Sequence, residues 1–235
     1  MLPLDAPTAP PTKLKSVIFD EICTMNEAFG NSSGVAVGDN PRLRRQCAGV
    51  ASEVDELEVA LSQPVTDHVA IADALCDILV FAYGAFHILG QKPASVTPGR
   101  TELLALQVNG LRHQSTALTF GTMPDPVDLE QVCGTLNDTI ALVRSYFTHM
   151  GWNVDEMMHR VFESNMSKFC ATQEEVDATI AKYDALGVHT YVEGEFPAKC
   201  LKVAQDCKAS DGTDFFKGKF LKGVNFEEPA LGDLV

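Results

Sequence analysis

An apolar stretch from Ala70 to Gly90 is the feature that most restricts how this chain can fold. It is about as long as a membrane-spanning helix. However, Asp73 and Asp77 stand near its start, and the chain has no second such stretch to pair with them. We therefore expect a buried helix of a water-soluble protein. Because apolar side chains occupy all of its faces after the first turns, other elements must pack around it on every side.

Helical periodicity dominates most of the chain as far as Gly187, with punctuating residues between the segments. Asn40 followed by Pro41 is typical of a helix start, and Thr66 is expected to cap the apolar helix, which stops at Gly90. Thr172 and Glu175 have the spacing of a capping box. The other predicted helices cover 14–29, 41–63, 101–119, 126–150, 154–169 and 172–186.

The second of these helices carries a continuous apolar seam. Its members are separated by alternating steps of four and three residues, which is the spacing of a helical bundle or coiled coil. They are Leu43, Cys47, Val50, Val54, Leu57 and Leu61. This helix should therefore pack along its whole length against a neighbour.

After Gly187 the pattern changes to two short strands, 188–193 and 199–204, with a turn at 194–198. The sequence thus predicts a mainly α protein, an antiparallel helical bundle with a small C-terminal β-hairpin appendage. We divide it into a flexible N-terminal tail (1–13), a helical domain (14–187) and the β appendage (188–235).

One internal similarity appears when the chain is offset by 61 residues. Leu75, Asp77, Phe86 and Gly90 then coincide with Leu136, Asp138, Phe147 and Gly151. A half-repeat produces such matches, and so does chance agreement between two amphipathic helices. Both interpretations remain open at the level of sequence.

Charge and cysteine usage exclude several classes of function. Lys plus Arg number 18 against 32 Asp plus Glu, a net charge of −14, which disfavours binding to a nucleic acid polymer or an anionic membrane. Seven cysteines occur without any C-x-x-C pair. This pattern indicates reduced thiols in the cytoplasm and argues against a disulfide scaffold or structural zinc site.

Two pairs of acidic residues carry the strongest chemical signal. Glu53 and Glu56 share one flank of the seam helix, and Asp73 and Asp77 share a face of the apolar helix. If the two helices are adjacent and antiparallel, the four carboxylates converge, and a divalent cation relieves their repulsion. Oxygen ligands favour Mg²⁺, or Mn²⁺, over zinc. The nearby acids Asp55, Glu58 and Asp67 fit ordinary solvated charge.

These pairs resemble the metal motif of the all-α nucleoside triphosphate pyrophosphohydrolases, which include MazG-like proteins, dimeric dUTPases and phosphoribosyl-ATP pyrophosphohydrolase. That motif is E-x-x-E followed by E-x-x-D on the next helix. Glu53 and Glu56 match its first half, and Asp77 matches the Asp of the second. The chain departs from the motif at Ala74, where a Glu is expected, and Asp73 is the natural substitute because it shares the face of Asp77.

A second resemblance involves the C-terminal third. The stretch 158–168, ending in S-N-M-S-K, is similar to a MazG-like subgroup of phages and bacteria, as is K-F-L-K-G-V-N at 219–225. The segment 91–150 stands as an insertion relative to that subgroup. Relatives complete their bundle by forming homodimers, so the resemblance implies a dimer, or a monomer if 91–150 completes the bundle within one chain.

The resemblance implies a bundle of the MazG-like type and a Mg²⁺-dependent enzyme that converts an NTP or dNTP to the monophosphate and pyrophosphate. Glu53, Glu56 and Asp77 are the implied catalytic residues, and with Asp73 they form the metal ligands. The candidates for binding the substrate phosphates are Asn165, Lys168, Arg42 and Lys222. Alternatives are phosphoribosyl-ATP or another single nucleotide as substrate, or a non-catalytic nucleotide-binding or interaction bundle whose metal site has decayed at Ala74.

Other polar residues have simpler interpretations. Arg42 fits a surface ion-pair partner better than a phosphate ligand, and Lys168 and Asn165 also fit a solvated helix end. Lys217, Lys219 and Lys222 fit either a lid over a nucleotide or a protected edge strand. His87 and His113 lack ligands at metal spacing, and Trp152 is expected to pack in the core rather than stack on a base.

Overall fold

The computed structural model describes residues 17–34, 41–95, 104–122 and 127–235, and the protein is mainly helical over these ranges. The predicted tail, the Asn40 cap and the first residues of three predicted helices (14–29, 101–119 and 126–150) lie outside them. The described elements, in chain order, are α1 (Val17–Ala28), α2 (Pro41–Leu61), α3 (His68–Leu89), α4 (Leu104–Gly121), α5 (Leu129–Met150), α6 (Val154–Met166), α7 (Gln173–Asp184), β1 (Thr190–Glu193), β2 (Cys200–Val203), β3 (Cys207–Lys208) and β4 (Asp214–Phe215).

The apolar helix α3 is the centre of the protein, and α1, α2, α5 and α6 pack around it. Among the described helices it alone is long and apolar enough to cross a membrane, but 67% of its most apolar 18-residue stretch is buried inside the protein. Asp67, rather than the predicted Thr66, caps it by accepting a hydrogen bond from the Ala70 N–H at 3.0 Å. The helix ends at Gly90, whose φ of 63° is left-handed, as predicted.

Helix α2 runs antiparallel to α3, and two glycines set their close approach. A Cβ at Gly49 would lie 2.4 Å from the Phe81 ring, and a Cβ at Gly84 would lie 2.7 Å from the Gln46 side chain. The predicted seam of α2 is buried except at its end, where Leu61 is 37% exposed and Ala60 is buried instead. The last turn of α2 thus presents a small side chain to α3.

Helices α4 and α5 form a second hairpin that corresponds to α2 and α3 with an offset of 61 residues. The helices α3 and α5 are each 22 residues long. They share an aspartate N-cap, Asp67 and Asp128, and a left-handed glycine C-cap, Gly90 and Gly151. The same offset relates Gly49 to Gly110, whose Cβ would lie 3.0 Å from Leu142.

The two hairpins pack on each other within one chain, since α4 contacts α2 and α5 contacts α3. The structural correspondence therefore extends beyond the four identities visible in the sequence to helix length, caps and the glycine contact. This favours the half-repeat over chance agreement.

A second, smaller core contains α7 and the strands. Thr172 caps α7 as predicted, accepting from the Glu175 N–H at 3.3 Å, but the Glu175 carboxylate accepts from Ala171 N–H rather than closing a capping box. The predicted hairpin is present, because β1 pairs antiparallel with β2. All seven cysteines are free thiols. The sequence predicts that the helical domain extends to 187 and so includes α7. In the structure, the buried side chains of α7 belong instead to this second core.

After the strands, the chain returns to the helical body. Leu231 is buried in the first core. The Arg160 guanidinium of α6 pairs with the Asp233 carboxylate and donates to the Ala230 carbonyl at 2.5 Å. Helix α6 itself ends at Met166, three residues before the predicted Phe169. The C-terminal segment is therefore attached to α6, beside the end that carries Asn165 and Lys168.

Candidate functional site

The four predicted acids lie together along the α2–α3 contact. Two close approaches, Gly49 to Phe81 and Gly84 to Gln46, define the antiparallel register of the helices. One turn after Gly49 on α2 and one turn before Phe81 on α3, that register brings Glu53 opposite Asp77. Both of these side chains are half-buried, whereas Glu56 and Asp73, another turn along, are exposed.

Burial and mutual repulsion perturb the two deeper carboxyls strongly. Burial, followed by the charges of Asp77, Glu56 and Asp73, raises the pKa of Glu53 to about 8. Burial and then the charge of Asp73 raise the pKa of Asp77 to about 7, against an opposing effect of Lys168. The four acids therefore behave as one electrostatic unit, in which each negative charge makes the next one more costly.

A fifth carboxylate approaches from the C-terminal segment. The pKa of Asp73 is raised by burial and then by the charge of Glu228, ahead of that of Glu56. Glu228 also raises the pKa of Asp77. The sequence analysis missed this residue, because Glu228 lies far from α3 in the chain and belongs to no periodic element.

Lys168 supplies a cation near the acids, since its charge lowers the pKa of Asp77. Its ammonium donates to the Asn165 Oδ1 atom at 2.6 Å, and the Asn165 amide donates to the Val161 carbonyl at 3.0 Å. Burial lowers the pKa of Lys168, and the charge of Asp77 opposes that effect. Asn165 thus orients the lysine, and the two predicted phosphate-binding residues are direct neighbours at the end of α6.

Lys222 is the second cation at this site. Its Nζ atom lies 2.5 Å from Glu228 Oε1 and 4.4 Å from the centre of the Phe226 ring. The ammonium of Lys168 is 5.9 Å from the same ring. The Tyr183 hydroxyl, by contrast, holds the backbone of Lys222, accepting from its N–H at 3.1 Å. The Phe226 ring therefore lies near both ammonium groups, a contact with no signal in the sequence.

A groove of about 510 Å³ adjoins the acids between α2 and α3. Glu56 and Asp73 line one part of it, and the small side chains of Ala60, Ala70 and Ala74 line another. The antiparallel register places Ala74 near Glu56. A glutamate at position 74, as the resemblance would require, would extend into this space, so its replacement by alanine both removes a carboxylate and widens the groove.

Arg42 lies apart from these groups. It is exposed in the first turn of α2, eleven residues before Glu53 and thus about 16 Å from it along the helix axis. Lys217 and Lys219 are exposed beside the strands, where the N–H of Val203 donates to the Lys219 carbonyl at 3.0 Å. The segment around Lys219 thus covers the free edge of β2.

The remaining candidates have structural roles. Buried His87 contacts the Asn31 carbonyl through Nε2 at 2.8 Å, while His113 is exposed. Trp152 is half-buried against the rings of Tyr146, Phe147 and His68, as expected for core packing. Asp55 and Glu58 pair with Arg112 of α4, so these acids join α2 to the second hairpin instead of being simply solvated.

The donor chemistry of the site fits a hard divalent cation, since its candidate ligands are carboxylate oxygens alone. In the conformation described, no group of three or more His, Cys, Asp or Glu side chains within the described ranges is arranged to hold a metal ion.

No protein-family model and no solved structure matches the chain. It is similar to the uncharacterized protein L479 of Acanthamoeba polyphaga mimivirus, with 23% identity over 94% of this chain and 96% of that protein. The similarity thus extends over nearly the whole of both chains.

Proposed function

We propose that this protein is a divalent-metal-dependent pyrophosphohydrolase that converts a nucleoside or deoxynucleoside triphosphate to the monophosphate and pyrophosphate. The bundle would then be of the MazG-like type. The observation that carries the proposal is the four-acid unit on α2 and α3, in which burial and repulsion raise the pKa of Glu53 to about 8 and of Asp77 to about 7. Perturbed acids gathered beside a groove are typical of a catalytic site.

In this proposal Glu53, Glu56, Asp73 and Asp77 hold Mg²⁺ or Mn²⁺. The cation would bind the phosphate oxygens and orient the attacking water. Lys168, positioned by Asn165, and Lys222 would contact the phosphate chain and stabilise negative charge on the leaving pyrophosphate. Arg42 lies too far along α2 for this contact, so we assign it no part in the reaction.

The reaction transfers the nucleotidyl group to water. The water oxygen bonds to the phosphorus of that group, the P–O bond that joins this phosphorus to the pyrophosphate breaks, and pyrophosphate leaves with the electron pair of that bond. In this proposal Glu56, which is exposed on α2, would accept the proton from water. The groove beside Glu56 offers small apolar side chains against which a nucleoside can pack.

A panel assay tests this function directly. Each NTP and dNTP is incubated with Mg²⁺ or with chelator, pyrophosphate release is followed, and the product is identified by mass. We expect turnover of one or a few nucleotides to the monophosphate, lost with chelator and in Glu53→Gln. Failure of every nucleotide, phosphoribosyl-ATP included, to be hydrolysed would contradict the proposal. If nucleotide and metal still raised the melting temperature, a non-catalytic binding bundle would replace it.

Substitution of Asp73 tests whether it compensates for Ala74. We expect Asp73→Ala to lose Mn²⁺ binding, measured by electron paramagnetic resonance, together with turnover. Asp55→Ala is the matched control, because Asp55 lines the same groove but pairs with Arg112 of α4. Unchanged Mn²⁺ affinity in Asp73→Ala would show that Asp73 is not a ligand and that the site has decayed at Ala74.

A further inference from the structure

The C-terminal segment is anchored on both sides of the residues that it brings to the site. Ser164 Oγ donates to the Glu227 carbonyl at 2.7 Å, and the Glu227 N–H donates to Ser167 Oγ at 3.0 Å. At the other end, Lys222 is held through its backbone by the Tyr183 hydroxyl. Lys222, Phe226 and Glu228 are therefore fixed relative to α6 and the acids.

The two lysines of the site have different partners. Lys168 donates to a neutral amide oxygen of Asn165 at 2.6 Å, so its charge is not neutralised by that contact. Lys222 lies 2.5 Å from the charged carboxylate of Glu228. A phosphate group that uses Lys222 must therefore take the place of Glu228, an exchange that Lys168 does not require.

The surrounding charge decides which ligands can make that exchange. Four carboxylates lie on α2 and α3, and Glu228 adds a fifth beside Asp73. A bare polyphosphate is strongly anionic and is repelled by this unit. A polyphosphate that carries a divalent cation brings less negative charge and also neutralises the acids, so Glu228 can release Lys222 to it at lower cost.

We propose that Glu228 is a specificity-determining residue, which holds Lys222 in an ion pair and so reserves the site for polyphosphates that carry a divalent cation. This inference rests on the proposed function, because it takes the four acids as the cation ligands. The Glu228 side chain is 71% exposed, and the hydrogen bonds that anchor the segment belong to the backbone of Glu227. Removal of the Glu228 charge should therefore leave the anchor intact.

The test uses the full chain and inorganic tripolyphosphate, which presents the phosphate chain without a nucleoside. Its affinity is measured by calorimetry with chelator and with excess Mg²⁺ for the wild type, Glu228→Gln and Glu227→Gln. The last is the matched control, because it removes the same charge from the neighbouring residue. We expect Glu228→Gln to bind bare tripolyphosphate about fivefold more tightly than the wild type, as for loss of one exposed ion pair. The preference of Glu228→Gln for the Mg²⁺ complex over bare tripolyphosphate should fall accordingly, whereas Glu227→Gln should keep the wild-type preference.

A second readout does not depend on any ligand. The rate at which Lys222 is acetylated by acetic anhydride, followed by peptide mass, should rise in Glu228→Gln and not in Glu227→Gln, because the ion pair protects the amine. The inference would be overturned if Lys222 were acetylated at equal rates in both variants. It would also be overturned if Glu228→Gln and Glu227→Gln preferred the Mg²⁺ complex of tripolyphosphate to the same extent. If the wild type hydrolyses a nucleotide under those results, the proposed function survives and this inference alone fails. If it binds neither form of tripolyphosphate and hydrolyses nothing, both fail.

Discussion

At Asp77 the protein keeps a carboxyl group in surroundings that oppose its ionisation. Burial among α2, α3 and the end of α6, with Asp73 nearby, raises its pKa to about 7 from a usual value of 3.8. In the unfolded chain the group ionises near its usual value. Ionisation therefore favours the unfolded state as the pH rises through this window, and the site lowers the stability of the protein that contains it.

This linkage predicts how Asp77→Asn changes the pH dependence of stability. Without metal, the wild type should lose free energy of unfolding between pH 3.8 and about 7, because the unfolded chain releases the Asp77 proton before the folded protein does. The variant lacks this loss and should be more stable than the wild type by roughly 1–3 kcal/mol at pH 7. Urea denaturation at several pH values, in chelator, measures the difference.

Asp138→Asn is the control for that experiment, since Asp138 occupies the corresponding position of the second hairpin and is exposed. Its stability should follow the wild type across the pH range. Parallel pH profiles for Asp77→Asn and the wild type would show that Asp77 ionises normally, and the electrostatic description of the site would be wrong.

Among the elements, the α2–α3 pair determines whether the acids meet. Glycine at position 49 lets the Phe81 ring lie directly against the α2 backbone, and this contact sets the spacing at Glu53 one turn later. Gly110 and Leu142 repeat the arrangement in the second hairpin. The close approach of these helices is thus a property of glycine placement.

A pair of glycine substitutions separates packing from helix propensity. Gly49→Ala should destabilise the protein by about 1–2 kcal/mol, because overpacking against Phe81 exceeds the gain in helix propensity. Gly134→Ala, at an exposed position of α5 with nothing within 4 Å of its Cβ, should instead stabilise it by about 0.5–1 kcal/mol. Thermal unfolding measures both. A stabilising Gly49→Ala would mean that the two helices are farther apart than described.

In the whole molecule, the second hairpin packs against the first. Helices α4 and α5 cover α2 and α3 within one chain. At the offset of 61 residues, the four acids of the first hairpin correspond to Gln114, Ala117, Gly134 and Asp138. One of these is acidic. Of the two described hairpins, the first alone therefore carries the four-acid unit.

This arrangement predicts a monomer in solution, in preference to the homodimer that the family resemblance alone implies. Light scattering coupled to size exclusion should give a mass of about 25.4 kDa at micromolar concentrations. The active species should elute at that position in the nucleotide assay. Twice that mass would contradict the prediction and direct attention to the exposed apolar side chains of Val59, Val65 and Val69 at the α2–α3 turn.

Local patterns were sufficient to predict several parts of this protein. The apolar periodicities indicate the helices and the β1–β2 hairpin, because each pattern repeats within a few residues of itself. Glu53, Glu56, Asp73 and Asp77 stood out for the same reason, since helical spacing places each pair on one face. Local signals were less exact at helix ends, where Thr66 and Asp67 are adjacent residues that can both act as caps.

The tertiary structure alone decided what surrounds the acids. Glu228 and Phe226 reach the site because the chain returns along α6, held by Ser164, Ser167 and Arg160, and no local pattern encodes such a distant contact. Likewise, the similarity at an offset of 61 residues is a structural correspondence between two helical hairpins, which share helix lengths, caps and glycine contacts. Sequence periodicity reports which face of an element is buried, whereas the partner of that face depends on the packing of the whole chain.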